Sequence, residues 1–222
     1  MAAAAAPARK EALPAALGSA SEPPALFDGT TRLYICYFCP FAQRTWVARN
    51  FKVPALEHNG KIMGESLDLI KYIDSNFEGP ALLPEDPEKR QFADELIEYA
   101  NAFTKTLYSP LISKVDLSDE TVAALDKIEA ALSKFSDGPF FLGQFSLVDI
   151  AYVTILERIQ IYYSHLRSYE ITDGRTSLEK FIEEINKIEA YTQTKNDPLY
   201  LLDLAKNHLK ARPFPKSDAQ PS

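Results

Sequence analysis

The sequence predicts a short α/β unit followed by an all-helical domain. Three patterns carry this: an aromatic, apolar run from Arg32 to Phe38 that gives way at Cys39-Pro40 to helical spacing, an Asn59-Gly60 hairpin signal, and helical periodicity from about residue 88 to 210. With 222 residues, 46% apolar and 25% charged, the chain is long enough for a real core and ordinary in composition for a globular protein. A net charge of −7 without a basic run argues against nucleic acid as a partner, and no stretch approaches a membrane span. Two cysteines and no apolar signal core fit a reducing compartment, so the cytoplasm is expected, with a plastid left open.

The elements follow in order. Residues 1–28 read as a disordered tail, alanine-rich at first and then punctuated by Pro23-Pro24 and Asp28-Gly29. Residues 29–84 form the α/β unit: a buried strand over 32–37, a helix from Pro40 to about Phe51 and a strand from Val53 to Glu57. The turn His58-Asn59-Gly60 then leads into Lys61–Met63. A third helix begins at Glu65-Ser66 and carries Leu67, Ile70, Ile73 and Phe77 on one face. Gly79-Pro80 and the segment from Leu83 to Pro87 read as a linker. Residues 85–212 form the helical domain, with helices near 88–108, 119–136, 147–165, 176–191 and 198–210, before a tail over 213–222. Ser146 and Asp149 make a Ser-x-x-acid capping box, and Phe145 with Ile150 suits a hydrophobic staple. The helix they open is apolar almost all round at its start, which predicts a place at the centre of the domain.

Cys39 carries the chemistry. Pro40 suits the first helical position, where a missing N–H costs nothing. A cysteine just before it faces the unpaired N–H groups and the positive dipole end of the helix, which favour thiolate over thiol. The local sequence supports a nucleophile and a buried structural cysteine equally. Cys36 completes a Cys-x-x-Cys, but Pro40 starts the helix after Cys39, so Cys36 falls on the strand and Ala42 holds the resolving position. Monothiol chemistry follows. Two cysteines and three scattered histidines offer no zinc set, so no metal is expected.

A nucleophile needs a site for its substrate. Glu65-Ser66 at a helix start supplies a hydroxyl and free N–H groups for a carboxylate, with Glu65 able to meet an ammonium, although plain N-capping by Ser66 explains the pattern as well. Pro54 at a strand start reads either as a cis proline that presents backbone to a peptide or as the first residue of an edge strand. His58 is expected in a solvated turn. Phe103, Tyr108, Tyr162 and Tyr163 read equally as core and as pocket wall.

With Cys39-Pro40-Phe41-Ala42-Gln43-Arg44, the run Val53 to Lys61 and the run Gly64 to Tyr72 in that order, the chain resembles the plant lambda-class glutathione transferases over about residues 25–210. The resemblance implies a thioredoxin-like N-terminal domain, an all-α C-terminal domain, a monomer, glutathione as substrate and a role in detoxification. It also implies that Cys39 forms a mixed disulfide with glutathione, flanked by Phe41. Val53 would pair with the glutathione backbone beside a cis Pro54, Glu65 and Ser66 would hold the γ-glutamyl group, and Lys52 would replace the family's lysine contact to the glycyl end, which belongs to a segment missing here. A cysteine in this position favours thiol transfer and deglutathionylation over conjugation. The chloride intracellular channel family shares the Cys-Pro-Phe start, but no long apolar segment here suits membrane insertion.

One departure stands out. Lys52 leads directly into Val53, so one strand and one helix of the family's βαβαββα domain, on the order of thirty residues, are missing. A helix from Pro40 to Phe51 carries the chain roughly 18 Å away from Cys39. Lys52 alone returns at most about 7 Å. The expected alternatives are therefore an active glutathione-dependent thiol transferase and an impaired, splice-type variant that at most binds small ligands or a partner.

Overall fold

The computed structural model describes Pro40, residues 57–58, 61–113 and 117–211. The strand expected over 32–37 and most of the next helix and strand lie outside these residues; Pro40 itself is helical and half-buried, as its place at a helix start predicts. Glu57–His58 (β1) and Lys61–Ile62 (β2) pair antiparallel, Glu57 opposite Ile62 and His58 opposite Lys61, as the hairpin signal predicts. The helices are α1 (Ser66–Asn76), α2 (Pro87–Ser113), α3 (Asp119–Leu132), α4 (Leu147–Arg167), α5 (Thr176–Ile185), α6 (Glu189–Thr192) and α7 (Pro198–Ala211).

The apolar pattern of α4 places it at the centre, and there it sits: α1, α2 and α7 pack against it, while α3 packs against α2 and α5. Every residue of α4 from Leu147 to Ile159 is buried. Two tyrosines fasten it to α2. Tyr152 donates to the Leu96 carbonyl at 2.7 Å and Tyr163 to the Leu107 carbonyl at 2.6 Å. Eleven residues separate the donors and eleven the acceptors, which is close to three helical turns on each side. Burial pushes the Tyr163 phenol up to about 12, so it stays a donor at any physiological pH. Phe103 and Tyr163 are thus core, whereas Tyr108 and Tyr162 are half-buried and meet edge to face at 6.3 Å.

Three helix ends differ from the sequence reading. α2 continues through Ser109-Pro110 to Ser113, because Leu107, Pro110 and Leu111 are buried and Arg167 donates to the Pro110 carbonyl at 2.9 Å. Packing here overrides the preference of a residue before proline against helix. α3 stops at Leu132, and Phe135 turns onto Phe92 at 5.7 Å. The stretch 176–191 is two helices, since the chain turns at Asn186–Ile188 and carries Tyr191 into the core. Side chains also cap across helices: the Glu129 carboxylate on α3 accepts from the Ser177 and Leu178 amides of α5 at 2.9 and 2.7 Å.

The predicted capping box is present at the start of α4. Asp149 accepts from the Ser146 amide and hydroxyl at 2.7 Å each through Oδ2, and from the Phe141 amide at 3.1 Å through Oδ1. Gly143, at φ 85°, supplies the left-handed residue of the tight turn that holds Phe141, and any Cβ there would strike Asp137. Desolvation outweighs these three donors and pushes the Asp149 carboxyl up to about 7. The folded state therefore holds this proton more tightly than the unfolded chain. The Asp149 contribution to stability is full below about pH 4 and is lost as pH rises through 7. In Asp149→Asn, one of the two amide donors loses its acceptor, and we expect a cost of about 1–3 kcal/mol. Urea unfolding at pH 5 and pH 8 should show the wild-type advantage over this variant shrinking at the higher pH. Ser146→Ala should cost about 1 kcal/mol in the same assay.

Candidate functional site

Of the residues predicted to form the site, Cys39, Phe41, Lys52, Val53 and Pro54 lie outside the described residues, and Glu65 and Ser66 lie within them. Glu65, not Ser66, occupies the N-cap position of α1, with extended backbone at φ −80° and ψ 123° and no cap bond from its side chain. Ser66 is the first helical residue and half-buried, and Glu65 is exposed. Plain capping by Ser66 is thereby replaced by a helix start left open. The first ladder bond runs from the Leu69 amide to the Glu65 carbonyl at 2.8 Å. The amides of Ser66, Leu67 and Asp68 precede that bond and point out of the helix end, where they suit an anion.

The position of this helix end follows from what α1 is packed on. Ile70 and Ile73 are fully buried against the helical domain, and Leu69 is nearly fully buried. Lys71 reaches Asp94 of α2 at 3.7 Å, an exposed pair that adds little. On its other side α1 is tied to the hairpin. His58 Nδ1 lies 2.7 Å from the Tyr72 hydroxyl, and its ring packs on Phe77 with centroids 5.0 Å apart. His58 is therefore half-buried and partnered rather than solvated in a turn. Phe77 reads in the sequence as a helix-face residue and Tyr72 only as the end of the run from Gly64, and only the fold reveals that both receive a histidine from β1.

Elsewhere a cleft of about 300 Å³ opens between Leu82, Pro84 and Asp86 of the linker and Leu142 and Phe145 ahead of α4. Its cation, Lys89, is already engaged by Asp137 at 2.5 Å and the Leu142 carbonyl at 2.8 Å. The same bond holds the Asp137 carboxyl below the usual range. His165 is exposed and bonded to the Ile161 carbonyl at 2.9 Å, far in sequence from any cysteine. Among the described residues no group of three or more His, Cys, Asp or Glu is placed to hold a metal, and no helix is long and apolar enough to cross a membrane.

A hairpin followed by a helix with an open N-terminus, docked on an all-helical domain, is the arrangement of a known family. The description "Glutathione S-transferase, N-terminal domain" matches residues 49–81, and "Glutathione S-transferase, C-terminal domain" matches residues 116–184. "Protein IN2-1 homolog A" of Oryza sativa subsp. japonica is 78% identical over 241 aligned positions that cover 95% of this chain and 99% of the relative. "Glutathione S-transferase L3" of Arabidopsis thaliana is 52% identical over 222 positions, covering 87% and 94%. The crystal structure of glutathione transferase Omega 3C from Trametes versicolor shares the fold with a TM-score of 0.65 at 23% identity, over 81% of this chain and 91% of that one. The chain belongs to the glutathione S-transferase family, in its plant lambda class.

The alignments also show a shortfall of the size expected from the sequence. With the rice relative, 241 positions are spanned by 95% of a 222-residue chain, or about 211 residues, so about thirty positions of the relative have no counterpart here. With the Arabidopsis relative, 222 positions against 87% of the chain, about 193 residues, leave about twenty-nine. Both agree with the loss of one βα unit.

Tyr72→Phe removes the hydroxyl that His58 meets and keeps the ring. We expect a loss of about 1 kcal/mol in urea unfolding. The His58 ring resonances should shift and broaden, while those of Tyr152 and Tyr163 stay in place.

Proposed function

We propose that this chain carries the site of a glutathione-dependent thiol transferase that removes glutathione from mixed disulfides through Cys39. The observation that carries the reading is the open N-terminus of α1 at Glu65-Ser66, held against the helical domain at the position that resemblance assigns to the γ-glutamyl group. The unpaired amides and the Ser66 hydroxyl would accept the γ-glutamyl carboxylate, and Glu65 its ammonium. Phe41, Lys52, Val53 and Pro54 would flank and pair with the rest of the tripeptide, as the lambda-class resemblance implies.

The chemistry is thiol–disulfide exchange. The Cys39 thiolate attacks the glutathione sulfur of the mixed disulfide, the old S–S bond breaks, and the acceptor leaves as a thiolate that takes up a proton. A second glutathione thiolate then attacks Cys39-bound glutathione, which releases glutathione disulfide and regenerates the Cys39 thiolate. No metal takes part. A monomer acting in the cytoplasm suits this scheme, as does the division into domains over 29–84 and 85–212.

A second reading rests on the shortfall of about thirty residues. Placed between Lys52 and Val53, it displaces the peptide-pairing strand from Cys39, and misplacement by about 1 Å can cost a hundredfold in rate. We therefore expect this chain to bind glutathione at least tenfold more weakly than a version with a lambda-class βα segment restored at that junction, measured by isothermal titration. Equal affinities would show that the chain re-routes around the gap.

For the nucleophile, limiting iodoacetamide near neutral pH should label Cys39 ahead of Cys36, and Cys39→Ser should abolish any reduction of a glutathionylated peptide, since a hydroxyl forms no disulfide. Preferential label on Cys36 would overturn the assignment.

A further inference from the structure

We propose that Asp74 is a positioning residue for the site end of α1, acting through a chain of bonds from Asp74 to Leu82 to Leu147. The claim rests on the reading of Glu65-Ser66 as the γ-glutamyl end of the site.

Leu82 sits in the linker and uses all three of its groups to join the two halves of the molecule. Its amide donates to Asp74 Oδ1 on α1 at 2.9 Å. Its carbonyl accepts from the Leu147 amide at 2.9 Å, one of the N–H groups that the first turn of α4 cannot satisfy internally. Its side chain is 3% exposed and belongs to the core that α4 organises. One loop residue thus ties the last turn of α1 to the first turn of the central helix.

Asp74 is an unfavourable choice for α1 on its own account. It lies two residues before the helix ends, no basic residue stands in that last turn, and a carboxylate there opposes the helix dipole. One contribution that offsets this is the bond it accepts from Leu82. Eight residues separate Asp74 from Ser66, a lever of about 12 Å along the axis. Ile70, fully buried in the core, lies midway, so with Ile70 as pivot a shift of about 1 Å at Asp74 moves the Ser66 end by about 1 Å, the scale at which positioning errors cost about a hundredfold. The apolar contacts of Ile70 and Ile73 hold the middle of α1 without fixing a direction, and the bond to Leu82 fixes its last turn.

The test compares full-length wild type, Asp74→Ala and Asp74→Asn, the last of which keeps an acceptor oxygen. Hydrogen exchange should show the amides of Leu69 to Ile73 and of Leu82 at least tenfold faster in Asp74→Ala. The α4 interior from Tyr152 to Ile159 should be unchanged, and Asp74→Asn should behave as wild type. With a glutathionylated peptide as substrate, Asp74→Ala should raise KM about tenfold with kcat within twofold, again rescued by Asn. Unchanged exchange in Asp74→Ala would overturn the proposal. So would faster exchange with unaltered KM in an active protein, because α1 would then be loosened without effect on the site. If wild type turns over no substrate, the thiol-transferase reading has failed, and the exchange comparison still decides whether Asp74 holds α1.

Discussion

The described structure depends on the burial of one face of α1 against the helical domain. An eleven-residue helix is marginal in water on its own, and the two-stranded hairpin before it is no better. Full burial of an isoleucine contributes about 1.5–3 kcal/mol, so Ile70 and Ile73 together outweigh any gain from the exposed Lys71–Asp94 pair. The hairpin is then held in turn, because His58 bonds to Tyr72 and packs on Phe77 at the far end of the same helix. Support passes from the helical domain to α1 and from α1 to the hairpin.

This order of support explains which half of the site is legible. About thirty positions of the relatives have no counterpart in this chain, yet Glu65 and Ser66 sit on α1, which is buried against the helical domain. They ride on a helix whose partners come from α2, α4 and the linker. The proposed γ-glutamyl end of the site thus draws its support from the helical domain.

Sequence periodicity located the helices because each has a clear apolar stripe, and the Ser146–Asp149 box gave the start of α4 to the residue. Long-range packing set the ends that local rules missed. Leu178, Phe181, Ile185 and Ile188 keep helical spacing straight through the turn at Asn186–Ile188, so nothing local announces the break. Pro110 carries the opposite lesson, a breaker tolerated inside a helix because its surroundings bury it and Arg167 takes its carbonyl. At the site, Glu65 and Ser66 were visible as a helix start, but which of them capped it depended on backbone angles. His58 and Asp74 were invisible as anchors, since their partners are fourteen and eight residues away and only the fold brings them together.

The paired tyrosines of α4 bear on how the molecule can move. Helices that adapt to a ligand by sliding do so by small steps along each other's grooves. Tyr152 and Tyr163 grip carbonyls of α2 at two points three turns apart, and a slide in either direction would break both grips at once. α2 and α4 are thus locked in register and move as one body.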